Sequence, residues 1–212
     1  MGDKILLLGG GGHCRSILDT VRCIGTYTDI AIVAPDSNGI DDIPVIGTDD
    51  DLPRLFCEGW TDAFITLGSI GNPHRRRKLY ELIREYNYHI PVLIDPTAIV
   101  AERTEIGEGS FIGKRAIINV GAVIGKCAII NSGAIIEHDC RIGEFVHVSP
   151  GAVLCGGVEL ENDVHVGASA VIKQYINIGK KSIIGMGSVV LKDIPEKVVA
   201  YGNPCKLKTE LL

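Results

Sequence analysis

The residues that first suggest chemistry point to phosphate binding. The run Lys4-Ile5-Leu6-Leu7-Leu8 reads as a buried strand, passes into Gly9-Gly10-Gly11-Gly12-His13, and continues into the apolar pattern Ile17, Leu18, Val21 and Ile24. Glycines at a junction between strand and helix let a ligand approach the backbone, and the N–H groups at a helix start favour an anion. The spacing is not that of the dinucleotide fingerprint: counting from Gly9, the third position is Gly11 but the sixth is Cys14, so no NAD site is read. A second strand over residues 30–34 ends at Pro35-Asp36-Ser37, where the acid either accepts hydrogen bonds from a ribose or base or simply forms the turn. A third apolar run, Ala63 to Leu67, is followed by an amphipathic stretch from Pro73 to Tyr86. Its Arg75-Arg76-Arg77-Lys78 cluster reads mainly as a solvated helix face, with phosphate contact as the alternative. The seven cysteines include no CxxC pair, which fits reduced thiols and no metal site.

The elements that must position such residues come from two textures of sequence. Three βα units predict a small α/β, Rossmann-like domain over residues 1–92. From Ile94 onward one aliphatic residue recurs at every sixth position, through Val100, Ile106, Ile112, Ile118, Ile124, Ile130, Ile136, Ile142 and Val148 to Val190. Four residues later comes a small side chain, as at Ser110, Ala116, Ala122, Ala128, Ala134, Cys140, Ala152 and Ala170. A period of six matches neither a helix nor an ordinary strand and predicts a β-solenoid over residues 93–195, three units to a coil. Gly or Asn follows the aliphatic residue at 107, 113, 119, 125, 131, 143, 167, 179 and 185, where a tight corner could demand a positive φ. No insertion interrupts the register, and residues 196–212 form a tail. The net charge of −5 excludes a broad attraction to nucleic acid or anionic membranes but leaves local phosphate binding open. No stretch is apolar enough to span a bilayer, so the chain reads as soluble and cytoplasmic.

Four segments together resemble one family: the opening Gly9-Gly10-Gly11-Gly12-His13, then Ile136-Glu137-His138-Asp139-Cys140-Arg141-Ile142-Gly143, then His147-Val148-Ser149-Pro150-Gly151-Ala152, and the closing Gly202-Asn203-Pro204. The chain resembles the nucleotide-sugar and sialic acid acetyltransferases of the PglD and NeuD type, within the hexapeptide-repeat acyltransferases. The resemblance implies a Rossmann-like domain that holds the sugar, a left-handed parallel β-helix that binds acetyl-CoA, and a homotrimer with active sites between subunits. It assigns the general base to His138, with Asp139 raising its basicity. A neutral imidazole suits that task near neutral pH, although Asp139 reaches it only if the chain turns a corner there. Acetyl-CoA contacts fall on His147, Ala168, Gly185 and Met186, with Met186 replacing the family's usual glycine. Gly11, Gly12 and His13 match the loop that approaches the sugar nucleotide, and Asp36 matches the second acid of a pair whose first is replaced by Pro35. His165, one coil beyond His147, should stack on it, and Cys140 should be core rather than a nucleophile. The implied reaction is direct acetylation of the 4-amino group of a UDP-linked sugar. O-acetylation of sialic acid or another sugar hydroxyl, and a non-catalytic trimeric scaffold, remain alternatives.

Overall fold

The computed structural model describes residues 3–35 and 39–210. The chain divides into two compact units, one of residues 1–69 and 74–96, the other of residues 70–73 and 97–212.

In the first unit the continuous apolar run of β1 (Lys4–Leu8) forms a parallel strand that is almost fully buried. It lies between β2 (Asp29–Val33) and the strand Asp62–Ile65, with Leu7 opposite both Ile32 and Phe64. Helix α1 (Gly12–Ile24) follows β1 and buries Cys14, Ile17, Leu18 and Val21, the i, i+3, i+4, i+7 stripe of an amphipathic helix. It stops at Gly25, whose left-handed φ of 70° returns an N–H to the Val21 carbonyl. Two elements were not expected from the sequence: the three-residue strand β3 (Val45–Gly47) and the short helix α2 (Leu52–Cys57). β3 is half-buried throughout and only three residues long, while α2 is introduced by a capping box between Thr48 and Asp51. With Asp62–Ile65 as β4, the sheet order is β3-β2-β1-β4, and α3 (His74–Glu85) completes the unit. Leu52 and Leu55 from α2 and Leu79 and Ile83 from α3 share a core with Leu6, Leu8, Ala31 and Val33.

The second unit is built of two-residue strands, each pairing in parallel with the strand one coil away, as Ile129 pairs with His147 (147 − 129 = 18). Three faces result. The first contains Glu105–Ile106, Val123–Ile124, Arg141–Ile142, Glu159–Leu160 and Asn177–Ile178; the second contains Phe111–Ile112, Ile129–Ile130, His147–Val148, His165–Val166 and Ile183–Ile184. The third runs from Ile99–Val100 and Ile117–Ile118 to Val189–Val190. Both beats of the register point inward: Ile136, Val148 and Ile172, and equally Ala116, Ala134, Cys140 and Ala152, are completely buried. Stacked coils therefore share one continuous apolar core that no single coil could bury alone. The tail adds two strands to the second face. Val198–Tyr201 pairs in parallel with Ile183–Ile184, turns through Gly202 and the cis Asn203–Pro204 bond, and is joined antiparallel by Lys206–Glu210.

The glycines after the aliphatic residues serve a different purpose from the one expected. The left-handed residue of each corner lies three positions after the aliphatic one, and it is often not glycine: Arg115, Cys127, Phe145, Asp163 and Ser169 have φ between 54° and 66°. Gly107, Gly125, Gly143, Gly167 and Gly179 are glycines because a Cβ there would lie 2.4–2.8 Å from backbone atoms of the next coil. Close stacking of coils, not backbone torsion, selects them.

Candidate active site

The chain does turn at His138-Asp139. Asp139 occupies the left-handed position of its corner with φ 61°, and its equivalents in neighbouring coils are Gly121, Gly157 and Tyr175 at 75°, 67° and 58°. This turn removes the alternation that would send consecutive side chains to opposite faces. His138 Nδ1 lies 2.9 Å from Asp139 Oδ2, so the carboxylate holds the Nδ1–H tautomer and leaves the Nε2 lone pair to accept a proton. Successive corners are tied by backbone bonds: Asp139 N–H donates to Val120 O at 3.1 Å, and Gly157 N–H donates to His138 O at 2.9 Å.

Glycines in the adjacent coils clear the space these side chains fill. A Cβ on Gly156 would meet His138 Nε2 at 2.5 Å, and a Cβ on Gly121 would meet Asp139 Oδ1 at 2.6 Å. Both glycines were missed in the sequence, although each is one coil from its partner (138 + 18 = 156; 139 − 18 = 121), and the period alone would have found them. The pair is well exposed, His138 by 49% and Asp139 by 71% of the side chain, so the contact orients the imidazole and adds little to stability. Cys140 beside it is completely buried, its Sγ is 3.3 Å from Cys155 O, and burial pushes its thiol up to about 11. It is a core residue and no nucleophile.

His147 and His165 pair in register on the second face, with ring centroids 5.0 Å apart at 75°, edge to face rather than flat. Asn131 fixes the tautomer of His147. Its Oδ1 accepts the Ser132 N–H at 2.8 Å, which turns Nδ2 toward His147 Nε2 at 3.3 Å and makes that nitrogen the acceptor. His165 is buried, and burial together with the nearby His147 pushes its imidazole down to about 4, so it is neutral at neutral pH.

One chain does not bring all the expected residues together. His138 stands in the turn from the third face to the first, whereas His147 lies on the second face, across the prism. Ala168, Gly185 and Met186 lie in the turns from the second face to the third; Gly187 N–H donates to Ala168 O at 2.8 Å, and Met186 is 80% exposed.

In the first unit, a pocket of about 500 Å³ opens at the carboxyl ends of β1 and β2, against Gly9, Gly10, Pro35, Gly39, Asp49 and Arg75. Gly9 and Gly10 line it, while the expected Gly11 and Gly12 do not; these are exposed, and His13 is half-buried with its ring against Gly68. Asp36 lies outside the described residues. The arginine cluster is divided: Arg75 reaches the pocket and sits 3.5 Å from Asp49, whereas Arg76 is buried beside Ser69 and is no part of a solvated face. Among the described residues no group of His, Cys, Asp or Glu side chains is arranged to hold a metal, and no helix is long and apolar enough to cross a membrane.

Residues 4–83 match the PglD N-terminal domain, residues 139–174 match the bacterial transferase hexapeptide repeat, and residues 103–137 and 157–192 match the hexapeptide repeat of succinyl-transferase. PerB from Caulobacter crescentus, solved with CoA and GDP-perosamine, is 34% identical, covers 97% of each chain and superposes with a TM-score of 0.92. This chain belongs to the PglD-type hexapeptide-repeat acetyltransferases. The solenoid expected from the six-residue register is the left-handed β-helix of hexapeptide repeats that the resemblance implied. The acetyltransferase domain of PglB from Neisseria gonorrhoeae FA1090, solved with acetyl coenzyme A, is similar at 31% identity over 98% of this chain and 100% of its own, with a TM-score of 0.92. Among curated proteins, the GDP-perosamine N-acetyltransferase of Escherichia coli O157:H7 is 34% identical over 65% of each chain. The 2,3,4,5-tetrahydropyridine-2,6-dicarboxylate N-acetyltransferase of Clostridium perfringens is 46% identical over 127 residues, so the chain spans about half the length of that relative (54%).

Proposed function

We propose that this PglD-type protein transfers the acetyl group of acetyl-CoA to the 4-amino group of a nucleotide-linked amino sugar. The observation that carries the reading is the imidazole of His138, oriented through Nδ1 by Asp139 and presenting Nε2 over a glycine at an exposed corner. Direct transfer needs little else. The sugar amine attacks the thioester carbonyl, its proton passes to His138 Nε2, and the tetrahedral intermediate collapses to the amide as CoA thiolate leaves and takes up a proton. Asp139 favours the imidazolium that forms in between. No acyl-enzyme is required, and the buried Cys140 offers none. The N-acetyltransferase names of the two curated relatives described above, which match over 127 and 144 residues, favour an amine over the hydroxyl of a sialic acid. A non-catalytic scaffold would have no use for glycines that make room for His138 and Asp139.

UDP is the carrier that the family resemblance implies, and the GDP-perosamine bound by PerB favours GDP as the second reading. Acetylation of UDP- and GDP-linked 4-amino sugars, followed by mass spectrometry of the products, separates them. Turnover of one carrier is expected to exceed the other by about a hundredfold, because a pocket built to hydrogen-bond one base leaves polar groups unpaired around the other. No acetylation of any amino-sugar nucleotide would refute the proposed acceptor.

The placement of His138 across the prism from His147 supports a homotrimer in which each acetyl-CoA lies between His138 of one copy and His147, Ala168, Gly185 and Met186 of the next. Subunits carrying His138→Ala and subunits carrying His147→Ala, each weakly active alone, are expected to regain activity when refolded together. Random mixing gives about one quarter of the interfaces both native residues, as a heterologous closed ring requires. Persistent inactivity of the mixture would count against shared sites.

A further inference from the structure

Two large apolar side chains stand almost uncovered in one coil of the solenoid: Tyr175, 72% exposed, and Met186, 80% exposed. Tyr175 is the more informative. It occupies the same corner position as Asp139, two coils further on (139 + 36 = 175), at a left-handed φ of 58° that a bulky residue adopts at a cost. Its ring folds back along the solenoid, so that a Cβ on Gly157 would meet its Cδ1 and Cε1 at 2.4 and 2.5 Å. From the other direction, His138 leans forward over Gly156. The two rings thus cover adjacent glycines of one coil, the His138 imidazole over the buried Gly156 and the Tyr175 ring over Gly157, and together they form one side of this corner. Coils stack about 4.8 Å apart, so the two rings belong to corners about 10 Å apart along the axis.

We propose that Tyr175 is a donor-positioning residue, its exposed ring closing against the pantetheine arm of acetyl-CoA while the thioester lies beside His138 Nε2. The inference rests on the acetyltransferase reading above. Within that reading, the donor contacts His147, Ala168 and Met186 fall in successive coils and climb toward the C-terminal end, the direction in which Tyr175 stands from His138. The corner bearing His138 and Tyr175 then faces the corner bearing Ala168 and Met186 of a second copy. An aromatic ring and a thioether offer the flat, apolar walls that the dimethyl and methylene groups of the arm require. The acceptor, delivered to the same Nε2, is left the remaining side of the imidazole.

The test is calorimetric binding of CoA to the full-length protein, which needs no acceptor, beside steady-state kinetics. Tyr175→Ala is expected to weaken CoA and to raise KM for acetyl-CoA by about tenfold, the loss typical of an aromatic anchor, while Tyr175→Phe stays within about twofold because the ring rather than the hydroxyl makes the contact. The KM for the acceptor and the pH profile of kcat stay unchanged. With S-acetyl-N-acetylcysteamine, a donor that lacks the distal arm, wild type and Tyr175→Ala should become equal. Tyr175→Asn, a residue tolerant of the left-handed corner, repeats the measurement without backbone strain. CoA affinity unchanged in both Ala and Asn variants, or a rise confined to the acceptor KM, overturns the proposal. A wild-type protein that binds CoA but acetylates no amino sugar would refute the acceptor assignment, while the CoA affinities would still decide the role of Tyr175.

Discussion

His138→Ala is expected to lower kcat/KM for acetyl transfer by about 100- to 10,000-fold, the range general-base groups contribute when correctly placed. The argument is geometric. The attacking amine must lose a proton as its nitrogen acquires four bonds, and Nε2 is the imidazole nitrogen left to accept it, since Nδ1 is engaged by Asp139 at 2.9 Å. Because the side chain is half exposed, the variant should melt within a degree or two of wild type, as surface changes usually do. It should also still bind CoA, so that loss of rate is separated from loss of fold. Asp139→Asn should retain more activity, about a tenth of wild type, because the amide can still orient the ring but cannot offset the imidazolium charge. Near-wild-type turnover by His138→Ala would remove the base assignment and with it the direct-transfer mechanism.

Much of this arrangement is legible in the amino-acid sequence, and the reason is periodicity. Each inward residue of the solenoid repeats its neighbour's environment, so Ile136, Val148 and Leu154 announce the same buried position again and again. The first unit offers no such redundancy. β3 is three half-buried residues and α2 only six, too short for an apolar period to emerge, and both are fixed by tertiary packing and the Thr48–Asp51 cap. The pairing of His138 with Asp139 was likewise unreadable from strand alternation, because it depends on a left-handed corner residue that need not be glycine. In the pocket, the first two glycines of the loop line the cavity, while Gly11 and Gly12 stand exposed at the start of α1, a division that the run of four glycines does not reveal. Arg76 was misread because three successive arginines look like a solvated face, whereas one of every few residues on a helix must point to the core.

The sharpest consequence of the corrected corner geometry is that Gly125→Ala should be far more damaging than Gly133→Ala. If glycine were needed for its backbone torsion, Gly133 with φ 66° would be the sensitive site, and Gly125, absent from the left-handed positions, would tolerate a methyl group. Contacts argue the opposite. A Cβ on Gly125 would sit 2.7 Å from the Gly143 carbonyl carbon, 2.8 Å from Glu144 N and 3.0 Å from Gly143 O, all backbone atoms of the next coil that no rotamer change can move. The Gly125 N–H is also bonded to Ile142 O at 2.7 Å, so relieving the clash means parting the two coils. A Cβ on Gly133 meets nothing within 4 Å, and the same corner position already carries Arg115, Cys127 and Phe145. Gly133→Ala should therefore cost about 1 kcal/mol for the left-handed conformation. Gly125→Ala should cost about 3 kcal/mol or more, the upper end of overpacking, which for a chain of this size lowers the melting temperature by roughly 6–12 °C. Thermal unfolding of the two variants side by side decides the matter. Equal losses, or a greater loss at Gly133, would show that torsion rather than coil stacking governs these glycines, and would undercut the parallel claim that Gly156 and Gly121 are glycines to make room for His138 and Asp139.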